Sequence, residues 1–125
     1  MNIIQPIREL IAANTTANNL LSGRVYAEII AQGSAYPCAA LNVTGTEPNN
    51  TKTSASDMDV HRLQIDVYGS TFASACQASE AIRAAIDYQQ TANITGIFLQ
   101  RIITGYSDVP EKFRQMSEYS VVLKR

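Results

Sequence analysis

The chain has 125 residues and a mass of 13.6 kDa, which fits a single domain over 1–125, since one ordinary core takes about 100–150 residues. Apolar residues make up 46% and charged residues 17% of it, which excludes global disorder and leaves fewer charges than the roughly 25% usual in soluble domains. Ten Lys and Arg stand against eleven Asp and Glu with no basic run, so the counterion release that drives nucleic-acid binding is missing, which argues against a dedicated DNA or RNA binder.

Ile3, Ile4, Ile7, Leu10 and Ile11 recur at helical spacing and predict an amphipathic helix of about three turns, with Pro6 in its first turn. Asn14-Thr15-Thr16 interrupts the pattern, and a short turn of helix with Leu20 and Leu21 closes at Ser22-Gly23, where glycine can take the left-handed position. From Arg24 the period changes: Val25 to Ile29 reads as a short strand, and Ala39 to Thr44 as a half-buried one. Val60 to Tyr68 is the cleanest strand, with Leu63, Ile65 and Val67 pointing one way and Arg62, Gln64, Asp66 and Tyr68 the other.

Ser70 or Thr71 caps a helix expected to run to about Tyr88, with Phe72, Ala75, Cys76, Ser79, Ile82 and Ile86 on its inner face. Its many alanines suit close packing on a sheet. Two more strands follow, Ile97 to Thr104 and roughly Met116 to Lys124, joined by a turn-rich link containing Asp108 and Pro110. The order predicts an α+β fold: a largely antiparallel sheet with two main helices packed on one face. Gly45 to Asp59 reads GTEPNNTKTSASDMD, a long polar hairpin loop with one large apolar residue, Met58. Such a segment either ends as a bare hairpin tip or orders on a partner.

A search for chemistry comes back nearly empty. The only histidine is His61, and no phosphate-binding glycine loop, nucleophile elbow or carboxylate cluster is present. His61 reads as a hydrogen-bonded structural residue. Cys38 and Cys76 are far apart and form no metal or disulfide pattern; both read as reduced and buried. Cys76, in the first half of a helix, is the best nucleophile on offer, but it has no basic neighbour and lies on the apolar face, which favours an inert thiol. No catalytic residue, cofactor or metal is expected. Uncharged stretches all fall short of the ~20 apolar residues of a membrane span. The first residues lack the pattern of a secretory signal, so cytosolic synthesis is expected.

Gly23-Arg24-Val25-Tyr26, then Tyr36-Pro37 opening a strand, then Arg62-Leu63-Gln64-Ile65-Asp66-Val67-Tyr68 entering an Ala-rich helix that ends Ala81-Ile82-Arg83-Ala84-Ala85-Ile86, together resemble the tail-completion family of long-tailed bacteriophages, also called tail-terminator or tail-to-head joining proteins. The resemblance covers nearly the whole chain. It implies a virion structural protein, made in the host cytoplasm, that assembles as a hexameric ring at the head-proximal end of the tail, ends the tube and joins it to the head connector. The implied partners are other copies of the chain, the tail tube protein and a head-tail connector or adaptor, with genomic DNA passing the lumen unbound. The contact surface expected from the strand faces and the polar loop comprises Arg62, Gln64, Asp66, Tyr68, Thr51, Lys52 and Met58. Competing readings are a connector or adaptor subunit of the neck, a small monomeric binding domain, and a thiol-dependent enzyme built on Cys76.

Overall fold

The computed structural model describes residues 3–30, 33–48, 58–91, 94–108 and 111–124. Three helices, α1 (Ile4–Ala13), α2 (Thr15–Leu21) and α3 (Phe72–Ile86), pack against a five-stranded sheet of β1 (Val25–Ala27), β2 (Cys38–Pro48), β3 (Met58–Gly69), β4 (Ile94–Asp108) and β5 (Glu111–Lys124). The strand order is β1-β2-β3-β5-β4. All neighbours are antiparallel except β1 and β2, which pair in parallel from Val25 opposite Ala39 to Ala27 opposite Leu41. This is the expected α+β architecture.

Local chemistry sets the boundaries. The Asn14 side chain accepts from the Ala17 amide at 3.0 Å, so the residue that ends α1 also caps α2. Helix α2 stops at Ser22 (φ 49°) and Gly23 (φ 78°), two consecutive left-handed residues that turn the chain into β1. The Thr71 hydroxyl accepts from the Ser74 amide at 3.1 Å and opens α3.

One core lies between the sheet and the helices. Ile7, Ile11, Leu21, Ile82 and Ile86 meet Leu41, Leu63, Ile65, Val67, Ile97, Tyr119, Val121 and Leu123, all essentially buried. Strict alternation on β3 and β5 sends Leu63, Ile65, Val67, Tyr119, Val121 and Leu123 into this core and leaves Arg62, Gln64, Asp66, Tyr68, Arg114, Met116, Glu118 and Ser120 on a face that no helix covers. Alanine at positions 75, 78, 81 and 85 of α3, all buried, lets the helix lie close on β3 and β5.

Several expectations are corrected. The first strand is three residues, not five, because Glu28 takes a positive φ of 65°. Strand β2 runs on to Pro48 and β3 begins at Met58, so both ends of the expected loop Gly45 to Asp59 are paired strand; 49–57 lie outside the described residues. The turn-rich link after Thr104 is also mostly strand, since β4 continues to Asp108 and β5 starts at Glu111. Helix α3 stops at Ile86 because Asp87 is extended and Tyr88 sits at φ 61°. Phe72 is not on the inner face: it is 51% exposed and packs edge-on against Phe113. Cys38 is buried as expected, whereas Cys76 is only half-buried.

Candidate interaction surface

On the helix-free face of the sheet, the side chains of β2, β3, β5 and β4 lie side by side and pair by charge. Asp66 on β3 faces Met116 in register, and the next outward residue of β5, Arg114, reaches it diagonally with Nε at 3.1 Å and Nη2 at 2.8 Å from one carboxylate oxygen. Gln64 donates to the same carboxylate at 3.2 and 3.3 Å. Glu118 on β5 faces Arg101 on β4 and takes a forked pair of hydrogen bonds at 2.9 and 3.0 Å. That guanidinium holds the Glu118 carboxyl below its usual range, with Arg62 adding to the effect. Arg62 in turn pairs with Glu47 on β2 at 2.6 Å. Three arginines of this face are thus each taken up by a carboxylate from another strand.

Of the residues expected to form a contact surface, the structure brings Arg62, Gln64, Asp66 and Tyr68 onto this face. They differ in what they offer: Arg62 is exposed, whereas the other three are half-buried. Burial, reinforced by the Asp66 charge, pushes the Tyr68 hydroxyl up from its ordinary value. Thr51 and Lys52 lie outside the described residues. Met58 opens β3 opposite Lys124, and its side chain is not among those described.

His61 and Cys76 lie on the helix side. His61 is 7% exposed and its Nδ1 is 2.8 Å from the Thr46 hydroxyl. Burial lowers its basicity, opposed by the Asp59 charge. The Gln115 amide donates to Cys76 Sγ at 3.3 Å and to the Thr104 hydroxyl at 2.9 Å, while Ser79 and Ser117 hydroxyls stand 3.4 Å apart. This is a small polar seam between α3 and the sheet. Among the described residues, no cluster of three or more His, Cys, Asp or Glu is placed to hold a metal, and no helix is long and apolar enough to cross a membrane.

The apolar surface that sequence reasoning missed is on strand β4, at the edge of the sheet. Phe98 is 37%, Ile102 43% and Ile103 41% exposed. Phe98 and Ile103 pair with Ser120 and Met116 on the helix-free face, while Ile102 pairs with Ser117 on the other. Two adjacent large apolar residues in a strand are the signal, because they must point to opposite faces and an edge strand has cover for neither.

The family model described as tail completion protein gp17 matches residues 5–122. A chain from the virion of a native gene transfer agent particle has a similar structure, with a TM-score of 0.77 and 18% identity over 95% of this chain and 92% of that one. The gp17 protein of bacteriophage SPP1 is also similar, with a TM-score of 0.54 and 14% identity over 97% and 86%. At these identities the likeness is one of fold. No curated protein sequence matches the chain.

Proposed function

The chain belongs to the tail completion protein gp17 family, a structural component of phage tails, and from this premise we propose that six copies form a ring at the head-proximal end of the tail, stopping tube growth and joining the tail to the head connector. The observation that carries the proposal is the edge strand β4. A 15-residue edge with large apolar side chains on both faces is an aggregation hazard in a free subunit and a ready contact in an assembled one. A ring needs a heterologous contact, in which one flank of a subunit meets a different flank of the next, and β4 supplies one such flank.

In this reading Arg62, Gln64, Asp66 and Tyr68 belong to a face that meets assembly partners. Thr51, Lys52 and Met58 contact the tail tube or an adjacent ring. The chain's formal charge of −1 suits a lumen that DNA must traverse without sticking. The role has no catalytic step: His61 and Cys76 bond to Thr46 and Gln115 within the fold. Synthesis is in the host cytoplasm and the working location is the virion.

Particles made with the gene disrupted test this. The expected result is heads and unjoined tails, with tubes of irregular length, and restoration by the intact gene. A six-fold ring of this chain should appear between tube and connector in reconstructions of complete particles, and Lys52 should cross-link to the tube protein. Joined tails of normal length without the protein, or a location on the connector side alone, would overturn the assignment.

A further inference from the structure

Strand pairing leaves two stretches of backbone without a neighbour, at diagonally opposite corners of the sheet. On the β4 side, the α3–β4 connection covers the first half of the edge. The Tyr88 amide donates to the Ile97 carbonyl at 2.8 Å, the Thr91 amide to the Ile94 carbonyl at 3.0 Å, and the Leu99 amide to the Asp87 carboxylate at 3.1 Å. That cover ends at Leu99. A bulge follows at Gln100; outward groups recur at every second residue and the bulge shifts them by one, so Ile102 and Thr104 turn their amides and carbonyls away from β5. Among the described residues no backbone group pairs with them on that side, and Arg101 to Gly105 are all exposed.

On the other side, β1 covers only Ala39 to Leu41 of β2. The outer edge of β1 is taken up by its own turns, with the Val25 amide on the Gly23 carbonyl and the Ile29 amide on the Ala27 carbonyl, so β1 offers little to a further strand. Beyond Leu41 the edge of β2 is bare. After the bulge at Thr44 the same alternation turns Thr46 outward, and it is exposed. Pro48 has no amide and ends the stretch.

Charge says which edges fit. Glu47 on β2, Arg62 on β3, Glu118 on β5 and Arg101 on β4 form one row across the helix-free face, acid and base alternating. The row starts with an acid at one edge and ends with a base at the other. A second copy set with its β2 beside this β4 continues the alternation, and joining like edges breaks it. The row also slants: Glu47 is level with Val60 and Arg101 with Gln64, four residues along β3, or about 13 Å. Continuing the row steps the second copy by that distance, which lays bare β4 on bare β2 and keeps the covered halves clear. Direction agrees, since β2 and β4 run antiparallel within the sheet. With Arg101 opposite Glu47, Ile102 falls opposite Thr46, and Ile103 opposite Gly45, where an added Cβ would meet nothing within 4 Å.

We infer that the β4 edge from Arg101 onward pairs antiparallel with the β2 edge of a second copy of this chain, Ile102 against Thr46 and Arg101 beside Glu47, so that the sheet runs on from copy to copy. This inference rests on the ring reading above and names both flanks of its contact. The shared ladder is short, so a single contact is weak and a closed ring holds through all of them together.

The test uses assembled particles in a Cys76→Ser background whose subunits carry both Ile102→Cys and Thr46→Cys, mixed from light and heavy nitrogen. Opposite residues of antiparallel strands have Cα atoms about 5.5 Å apart, within disulfide reach. Inside one subunit β3 and β5 separate β2 from β4, about 14 Å in all. Mild oxidation should link two or more copies through mixed-isotope disulfides between positions 46 and 102, and either cysteine alone should give none. In parallel, Ile102→Pro removes an outward amide that the β4–β5 ladder does not use. The isolated subunit should melt within about 3 °C of wild type, yet ring assembly should weaken at least about tenfold. Should that variant fail to fold, the disulfides decide alone. A six-fold ring without these disulfides, or one formed normally by folded Ile102→Pro, overturns the strand pairing and leaves the ring reading standing. Wild-type particles without a ring of this chain overturn both.

Discussion

Replacing Asp87 with Ala tests whether the end of α3 is fastened to the edge strand as the geometry indicates. The carboxylate accepts from the Leu99 amide at 3.1 Å and lies 3.6 Å from Arg83 one helical turn back. Its side chain is only 13% exposed, so the alanine variant leaves the Leu99 amide without a partner in a half-buried place. A hydrogen bond to a charged group is worth about 1.5–3 kcal/mol. The ion pair adds no more than about 0.5 kcal/mol, since Arg83 is 54% exposed and the spacing is i, i+4. The expected loss is therefore about 2 kcal/mol, or roughly 8 °C in Tm at about 4 °C per kcal/mol for a chain of this size. Urea denaturation gives the free energy, and amide hydrogen exchange should show Leu99 losing protection ahead of Leu63 or Ile65. Asp87→Asn keeps an oxygen acceptor and should recover at least half of the loss. A loss below about 0.5 kcal/mol for the alanine variant, or an unchanged Leu99 exchange rate, would refute the fastening.

Arg114→Ala strips the Asp66 carboxylate of its counter-charge; with side chains 35% and 15% exposed, the expected cost is about 1–2 kcal/mol in urea denaturation, below the ~3–5 of a fully buried pair. No measurable change would mean that Gln64 alone satisfies Asp66. Gly69→Ala would set a Cβ 2.6 Å from the Ala75 amide nitrogen and 3.0 Å from its Cα, both backbone atoms of α3, and should cost about 1–3 kcal/mol by urea midpoint; a wild-type midpoint would contradict that packing. Burial holds the His61 imidazole below its usual 6.5, so below that pH the unfolded chain binds more protons and stability falls toward the folded pKa. Tm should decline between pH 7 and 5 more steeply in wild type than in His61→Gln, and equal slopes would remove His61 from the account.

The elements with clean periods were legible in the sequence. Leu63, Ile65 and Val67 against Arg62, Gln64, Asp66 and Tyr68 give the core strand and its faces directly, because a two-residue alternation has one geometric meaning. Asn14 and Ser22-Gly23 mark helix boundaries for equally local reasons. What the sequence hid depends on partners far along the chain. Polar Thr46, Glu47 and Pro48 read as loop, yet they continue β2 because His61, Val60 and Asp59 stand opposite them. Asp66 and Arg114 are 48 positions apart, and only the β3–β5 register brings them together. Tyr88 looked like a last helical residue; its left-handed conformation goes with the Asp87 carboxylate and the Tyr88 amide bonding across to Leu99 and Ile97 of β4. The parallel pairing of β1 with β2 has no signature in three residues.

On the proposed reading, the charged face and the apolar β4 flank contribute differently to recognition. The pairs Arg62–Glu47 and Arg101–Glu118 are well exposed, with one or both partners more than half open to solvent, so each adds little to folding. Folding rests instead on the single core between α1, α2, α3 and the sheet. Yet these pairs run in alternating sign from β4 across β5 and β3 to β2, and alternation of charge is what fixes register and rejects misplaced partners when two surfaces meet. The aromatic and isoleucine side chains of the β4 flank, by contrast, carry little positional information and much burial free energy, at about 25 cal/mol per Å² of apolar area covered. In the proposed ring, closure would be cooperative once several copies are held side by side, since each added copy engages both of its flanks.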